Sequence, residues 1–214
     1  YVNTEKKVYH IYLTDSTLAY EHYERKKLEK GDFVKLRQYK KKVKDENKVF
    51  LCDVQKCAKD EAIEKFKCRI AVVDDVNNLR KLFHFVFGPK LVSGILHYDQ
   101  TDLRPSVGDF IKIHYFVKEI SDKKNPGKQK KLVEVLRAET TDESNSDLVK
   151  RFSGNLELKY KDRYDVGKPD FAFIGDYYVH KAILEKYDIT SNCYVNAKAV
   201  YTGDGNWKVY EIEK

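Results

Sequence analysis

Asp170-Phe171-Ala172-Phe173-Ile174 and Tyr177-Tyr178-Val179-His180, separated by Gly175-Asp176, hold the densest set of planar side chains in the chain. Side chains alternate between the two faces of a strand, so Phe171 and Phe173 share one face while Ala172 and Ile174 take the other. Across a two-residue Gly-Asp turn, Tyr178 and His180 line up with the phenylalanines, leaving Tyr177 and Val179 to point inward. Three aromatic rings and an imidazole on one surface suit stacking rather than bond-making. Each nucleobase stacked on such a ring contributes about 1–3 kcal/mol with little dependence on base identity.

Cations are the second chemical element. Lys35, Arg37 and Tyr39 alternate with Val34, Leu36 and Gln38, and Lys40, Lys41, Lys42 and Lys44 follow. Lys35, Arg37 and Lys40 are therefore candidate phosphate contacts, each expected to steepen the salt dependence of binding. A solvated hairpin edge that discourages aggregation is the competing reading of this stretch. Lys123, Lys124, Lys128, Lys130 and Lys131 form a weaker second set. The overall charge of +7, from 41 basic and 34 acidic residues, suits a polyanionic partner without requiring one.

Catalytic signatures are missing. No phosphate-binding Gly-rich loop with Lys-Ser/Thr, no His-Glu-x-x-His and no Gly-x-Ser-x-Gly occurs. Asp74-Asp75 reads as a solvated acidic pair on a turn. Cys52, Cys57, Cys68 and Cys193 match no compact zinc spacing and no disulfide framework. The expectation is a protein without catalytic residues, metal or cofactor, in a reducing, cytoplasmic compartment. No apolar run approaches the roughly 20 residues of a membrane span. The chain has no Met and opens at Tyr1, so it reads as part of something longer.

The elements that must position these groups repeat. Lys7-Val8-Tyr9-His10-Ile11-Tyr12-Leu13 parallels Lys81-Leu82-Phe83-His84-Phe85-Val86-Phe87, and Gly31-Asp32-Phe33-Val34-Lys35-Leu36 parallels Gly108-Asp109-Phe110-Ile111-Lys112-Ile113. The interval from His to Gly is 21 residues in one copy and 24 in the other. Each Gly-Asp-Phe strand runs into a lysine-rich turn, the second tipped by Asn125-Pro126-Gly127, and a closing strand, which predicts β-hairpins. Phe83 and Phe85 are the middle copy's aromatic pair and join the candidate nucleic-acid contacts. His10 and His84 read as ordinary strand residues, with a binding role as the competing reading.

The last third reads strand, strand, strand, short helix (181–187), strand, strand, and the middle copy gains a first strand from Phe66–Val73. Five strands with a helical connection after the third is the order of an OB-fold. Asp170-Phe171-Ala172-Phe173-Ile174 and Tyr177-Tyr178-Val179-His180 resemble the two ribonucleoprotein motifs of cold-shock domains, and Gly154-x-Leu156-x-Leu158 is similar to that family's opening strand. Asp170 and Ala172 replace the glycines of the first motif, and Leu156 or Leu158 replaces the aromatic usual on the first strand.

The resemblance implies an all-β chain of tandem five-stranded OB-type, cold-shock-like barrels with short helical connections. The repeats span 1–64 (the first, incomplete if the chain is truncated), 65–148 and 149–214, with polar linkers at 59–65 and 140–149. It also implies binding of single-stranded RNA or DNA with low base specificity. Two other readings stay open: a scaffold module holding other domains of a longer protein, or accessory barrels of a nucleic-acid enzyme. Oligomeric state is not legible.

Overall fold

The computed structural model describes residues 2–4, 7–9, 32–43, 46–88, 93–121, 129–160 and 169–213. Residues 1–68 with 114–116 form one compact unit, and residues 69–113 with 117–214 form a second.

In the first unit, β1 (Val2–Thr4) pairs antiparallel with β2 (Lys7–Tyr9), and β3 (Val34–Val43) with β4 (Glu46–Lys56). The β3–β4 hairpin is the one its Lys-rich turn predicts, with a register shift between Arg37 and Gln38. Residues 59–65, expected as a linker, instead contain a short helix, α1 (Lys59–Ile63). Its Ile63 is fully buried, and Phe66 just beyond packs edge-on to Phe33 with ring centroids 6.4 Å apart. His10 and the loop lysines Lys123, Lys124 and Lys128 lie outside the described residues, as does the Asn125-Pro126-Gly127 tip.

The strands that follow are β5 (Lys67–Asn77), β6 (Leu82–Val86), β7 (Gly94–His97), β8 (Phe110–Ser121) and β9 (Gln129–Thr140). They form one sheet in the order β7-β6-β5-β8-β9. β10 (Val149–Lys159), β11 (Phe171–Ile174), β12 (Tyr177–His180), β13 (Cys193–Gly203) and β14 (Asn206–Glu213) close into a barrel, with α2 (Lys181–Lys186) between β12 and β13. Around the barrel the order is first-second-third-fifth-fourth, and the third and fifth strands pair in parallel. The middle sheet has the same order, opened between its third and fifth strands. The chain is therefore all-β with two five-stranded OB-type barrels in succession, one closed and one nearly so.

Alternation builds the closed barrel's core. Leu156, Ala172, Ile174, Val179, Ala197, Ala199, Val209 and Ile212 all point inward, and Leu184 and Ile189 plug one end. Gly154 is needed on β10 because a β-carbon there would approach the Ile174 side chain to 2.8 Å. The two barrels of the second unit share a buried apolar seam of Val72, Val86, Leu148, Val200 and Tyr201. Leu148, in a segment expected to be a polar linker, is fully buried in it, and its carbonyl accepts from the Tyr201 N–H at 2.9 Å.

Candidate nucleic-acid interface

The register of the closed barrel fixes which side chains stand together. β10 pairs with β11 so that Glu157 faces Phe173 and Lys159 faces Phe171. β11 pairs with β12 so that Phe173 faces Tyr178 and Phe171 faces His180. The parallel β12–β14 ladder sets Tyr178 beside Lys208. Residues directly opposite in a ladder point to the same side. Two rows consequently cross the outer face: Glu157, Phe173, Tyr178 and Lys208 in one, Lys159, Phe171 and His180 in the other.

Their chain neighbours Ala172, Ile174 and Val179 are buried at 2% exposure or less, so the rings face away from the core. Phe171, Phe173 and Tyr178 are half-buried and His180 is exposed. Ring centroids lie 5.7 Å apart for Phe171–Phe173, 6.0 Å for Phe171–Tyr178, 5.9 Å for Phe173–Tyr178 and 6.3 Å for Tyr178–His180. These spacings belong to mutually supporting edge-to-face and tilted pairs. Rings braced by one another keep their orientation without a ligand, which lowers the ordering cost when a base stacks on them.

His180 has a second task. Its Nδ1 accepts a hydrogen bond from the Ala182 N–H at 3.1 Å, capping α2. That bond occupies Nδ1 and leaves Nε2 as the ring nitrogen not used by the cap. Tyr177, expected to point inward, does so only in part: its ring stacks on Phe152 at 4.0 Å and meets Trp207 edge-on at 6.2 Å, closing one end of the core. Trp207 in turn lies under the Lys150 ammonium, 4.3 Å from the ring centroid.

Phe83 and Phe85 are corrected by the structure. Both are fully buried and offer no face to a base. Phe85 lies opposite Gly94 on β7, and its ring occupies the space a β-carbon there would fill, with Phe85 Cζ 2.3 Å from that position. Alternation correctly puts the two rings on one side of β6, but that side is the core. Asp74 and Asp75 are corrected too. They lie within β5 at a register shift, not on a turn, and Asp74 is buried with its Oδ1 2.6 Å from His84 Nδ1.

Lys35 is exposed on β3, and its ammonium is ion-paired to Glu61 of α1, which raises its pKa above the usual lysine value. Its charge already has a partner within the first unit. Arg37 and Lys40 sit on the same strand, and their side chains lie outside the described residues. Among the described residues, the register brings to the aromatic rows Lys159, 3.0 Å from Glu157, and Lys208, 3.2 Å from Asp75. Sequence reading missed both. Lys159 follows from extending the β10 alternation, whereas Lys208 needs the parallel third-to-fifth strand pairing. Tyr194, 69% exposed on β13 opposite Asn155, is another outward aromatic without a sequence signal.

Among the described residues no group of three or more His, Cys, Asp or Glu is placed to hold a metal ion. No described helix is long and apolar enough to cross a membrane. Residues 63–125, which run from the end of α1 through β8, match the family model for S1/CSD-like domain 1 of the TOTE conflict systems. No curated protein and no solved structure matches the chain. The match thus falls on the middle sheet and indicates a cold-shock-like, OB-type fold there, while the ribonucleoprotein-like motifs stand on the neighbouring closed barrel.

Proposed function

We propose that the closed barrel binds single-stranded nucleic acid, RNA or DNA, by stacking bases on Phe171, Phe173 and Tyr178 with His180 at the margin. The chain as a whole is then a tandem of cold-shock-like modules that binds and does not catalyse. The observation that carries this reading is the outward, mutually braced set of rings on the second and third strands, with lysines on both flanks. The match of the adjacent sheet to an S1/CSD-like family supports it independently. Because every base has a π-face, base preference is weak.

Phe171→Ala with Phe173→Ala tests the reading. Loss of two stacked bases weakens binding of a short labelled oligonucleotide by at least ~30-fold. The fold survives, because both rings lie outside the core. Unchanged affinity in a folded double variant would overturn the assignment and leave the barrel as a protein-interaction module.

A further inference from the structure

The ion pair between Lys208 and Asp75 joins the two barrels of the second unit, and its placement gives it a function beyond holding them together. Lys208 is on β14, beside Tyr178 in the parallel ladder. Asp75 is on β5 of the other barrel. The lysine side chain is 28% exposed and the aspartate 60% exposed. The Lys208 side chain is therefore mostly covered, starting beside the ring row and reaching with its ammonium to Asp75, whose own side chain is mostly exposed. Asp74, the adjacent acid, is turned inward and bonded to His84, so Asp75 is the carboxylate that reaches Lys208.

We propose that Lys208 is the phosphate contact of the aromatic platform and that Asp75 is its built-in competitor. This rests on the stacking function proposed above. A base stacked on Tyr178 brings its phosphodiester alongside the strand edge, where Lys208 is the nearest cation in the ladder. A phosphate oxygen there takes over the hydrogen bond that the Asp75 carboxylate accepts in the free protein. A partly exposed ion pair of this kind contributes little to stability, so it exchanges readily. Nucleic acid binding then releases Asp75 from the seam, and the carboxylate sets a threshold that weakly held polyanions do not pass. Lys159 with its partner Glu157 repeats the arrangement on the opposite flank within a single barrel.

The test is a double-mutant cycle read by oligonucleotide titration across a salt series. Asp75→Asn, which keeps the shape of the side chain, tightens binding by up to ~5-fold. Lys208→Ala weakens binding and lowers the salt slope by about one unit. Adding Asp75→Asn to Lys208→Ala then brings no further gain. Asp176→Asn, which removes an exposed acid from the β11–β12 turn, controls for net charge alone. An equal gain from Asp75→Asn with and without Lys208, or no gain at all, overturns the competitor role even where wild-type protein binds through Phe171 and Phe173. Absence of any wild-type binding overturns the stacking function and this inference together. Thermal unfolding of each variant separates loss of the seam from loss of the contact.

Discussion

Gly108 shows how much one residue position constrains the second unit. Its φ is +95°, a region that L side chains rarely adopt, and a β-carbon there would lie 2.5 Å from two carbons of the Tyr210 ring. Its N–H donates to the Val73 carbonyl at 2.8 Å, and the Val73 N–H donates to the Asp109 carbonyl at 2.9 Å. The Gly-Asp-Phe element of the repeat is thus where the middle barrel receives an aromatic from the closed one. Gly108→Ala combines backbone strain with overpacking, and a loss of about 2 kcal/mol or more in urea unfolding is expected. A smaller effect from Gly205→Ala, at a turn with nothing within 4 Å of the added carbon, separates backbone strain from the clash. Phe83 and Phe85 carry the complementary lesson. A period of two tells which side chains share a face, but only the partner strand tells which face is inside. Gly94, opposite Phe85, is the sequence feature that makes room for a ring in the core.

At the scale of elements, the closed barrel is the most legible part of the sequence. Phe171–Ile174 and Tyr177–His180 are strands with the bounds their alternation implies, because small or branched residues (Ala172, Ile174, Val179) alternate with rings and Gly175 supplies the positive φ of the turn. Less legible were segments whose fate depends on distant partners. Residues 59–65 look polar yet hold α1 and pair Glu61 with Lys35. Asp74 looks solvated, but the register shift in β5 turns it toward His84. Lys208 is ordinary in sequence and gains its place only through the β12–β14 ladder.

Two elements carry their own predictions. His180→Ala removes the acceptor that caps α2 and is expected to cost about 1 kcal/mol, whereas His180→Asn retains it; denaturant unfolding distinguishes them. On the β13–β14 pair, hydrogen bonds to Glu211 and then Glu213 raise the pKa of Lys198 above its usual 10.5, and burial raises that of Tyr210 above 10.0. Both groups hold their protons more tightly in the folded chain than in the unfolded one. Their contribution is complete below the unfolded values and is lost as pH rises through the folded ones. Denaturant midpoints measured upward from pH 9 should therefore fall beyond about pH 10, and Glu211→Gln should reduce the Lys198 part of that fall.

For the whole molecule, the +7 charge does not single out one surface. In the described ion pairs Lys35, Lys159, Lys198 and Lys208 are each matched by an acid. What distinguishes one surface is the coincidence of outward rings with lysines on both flanks, on a barrel whose core and strand order leave the second and third strands as its presenting face. The proposed stacking function implies low base specificity and a modest salt slope, with stacking supplying more of the affinity than charge. Photo-cross-linking of a bound oligonucleotide, mapped by mass spectrometry, tests this most directly. Cross-links are expected on the peptides that contain Phe171, Phe173 and Tyr178. Cross-links confined to the lysine-rich β3–β4 hairpin would contradict it.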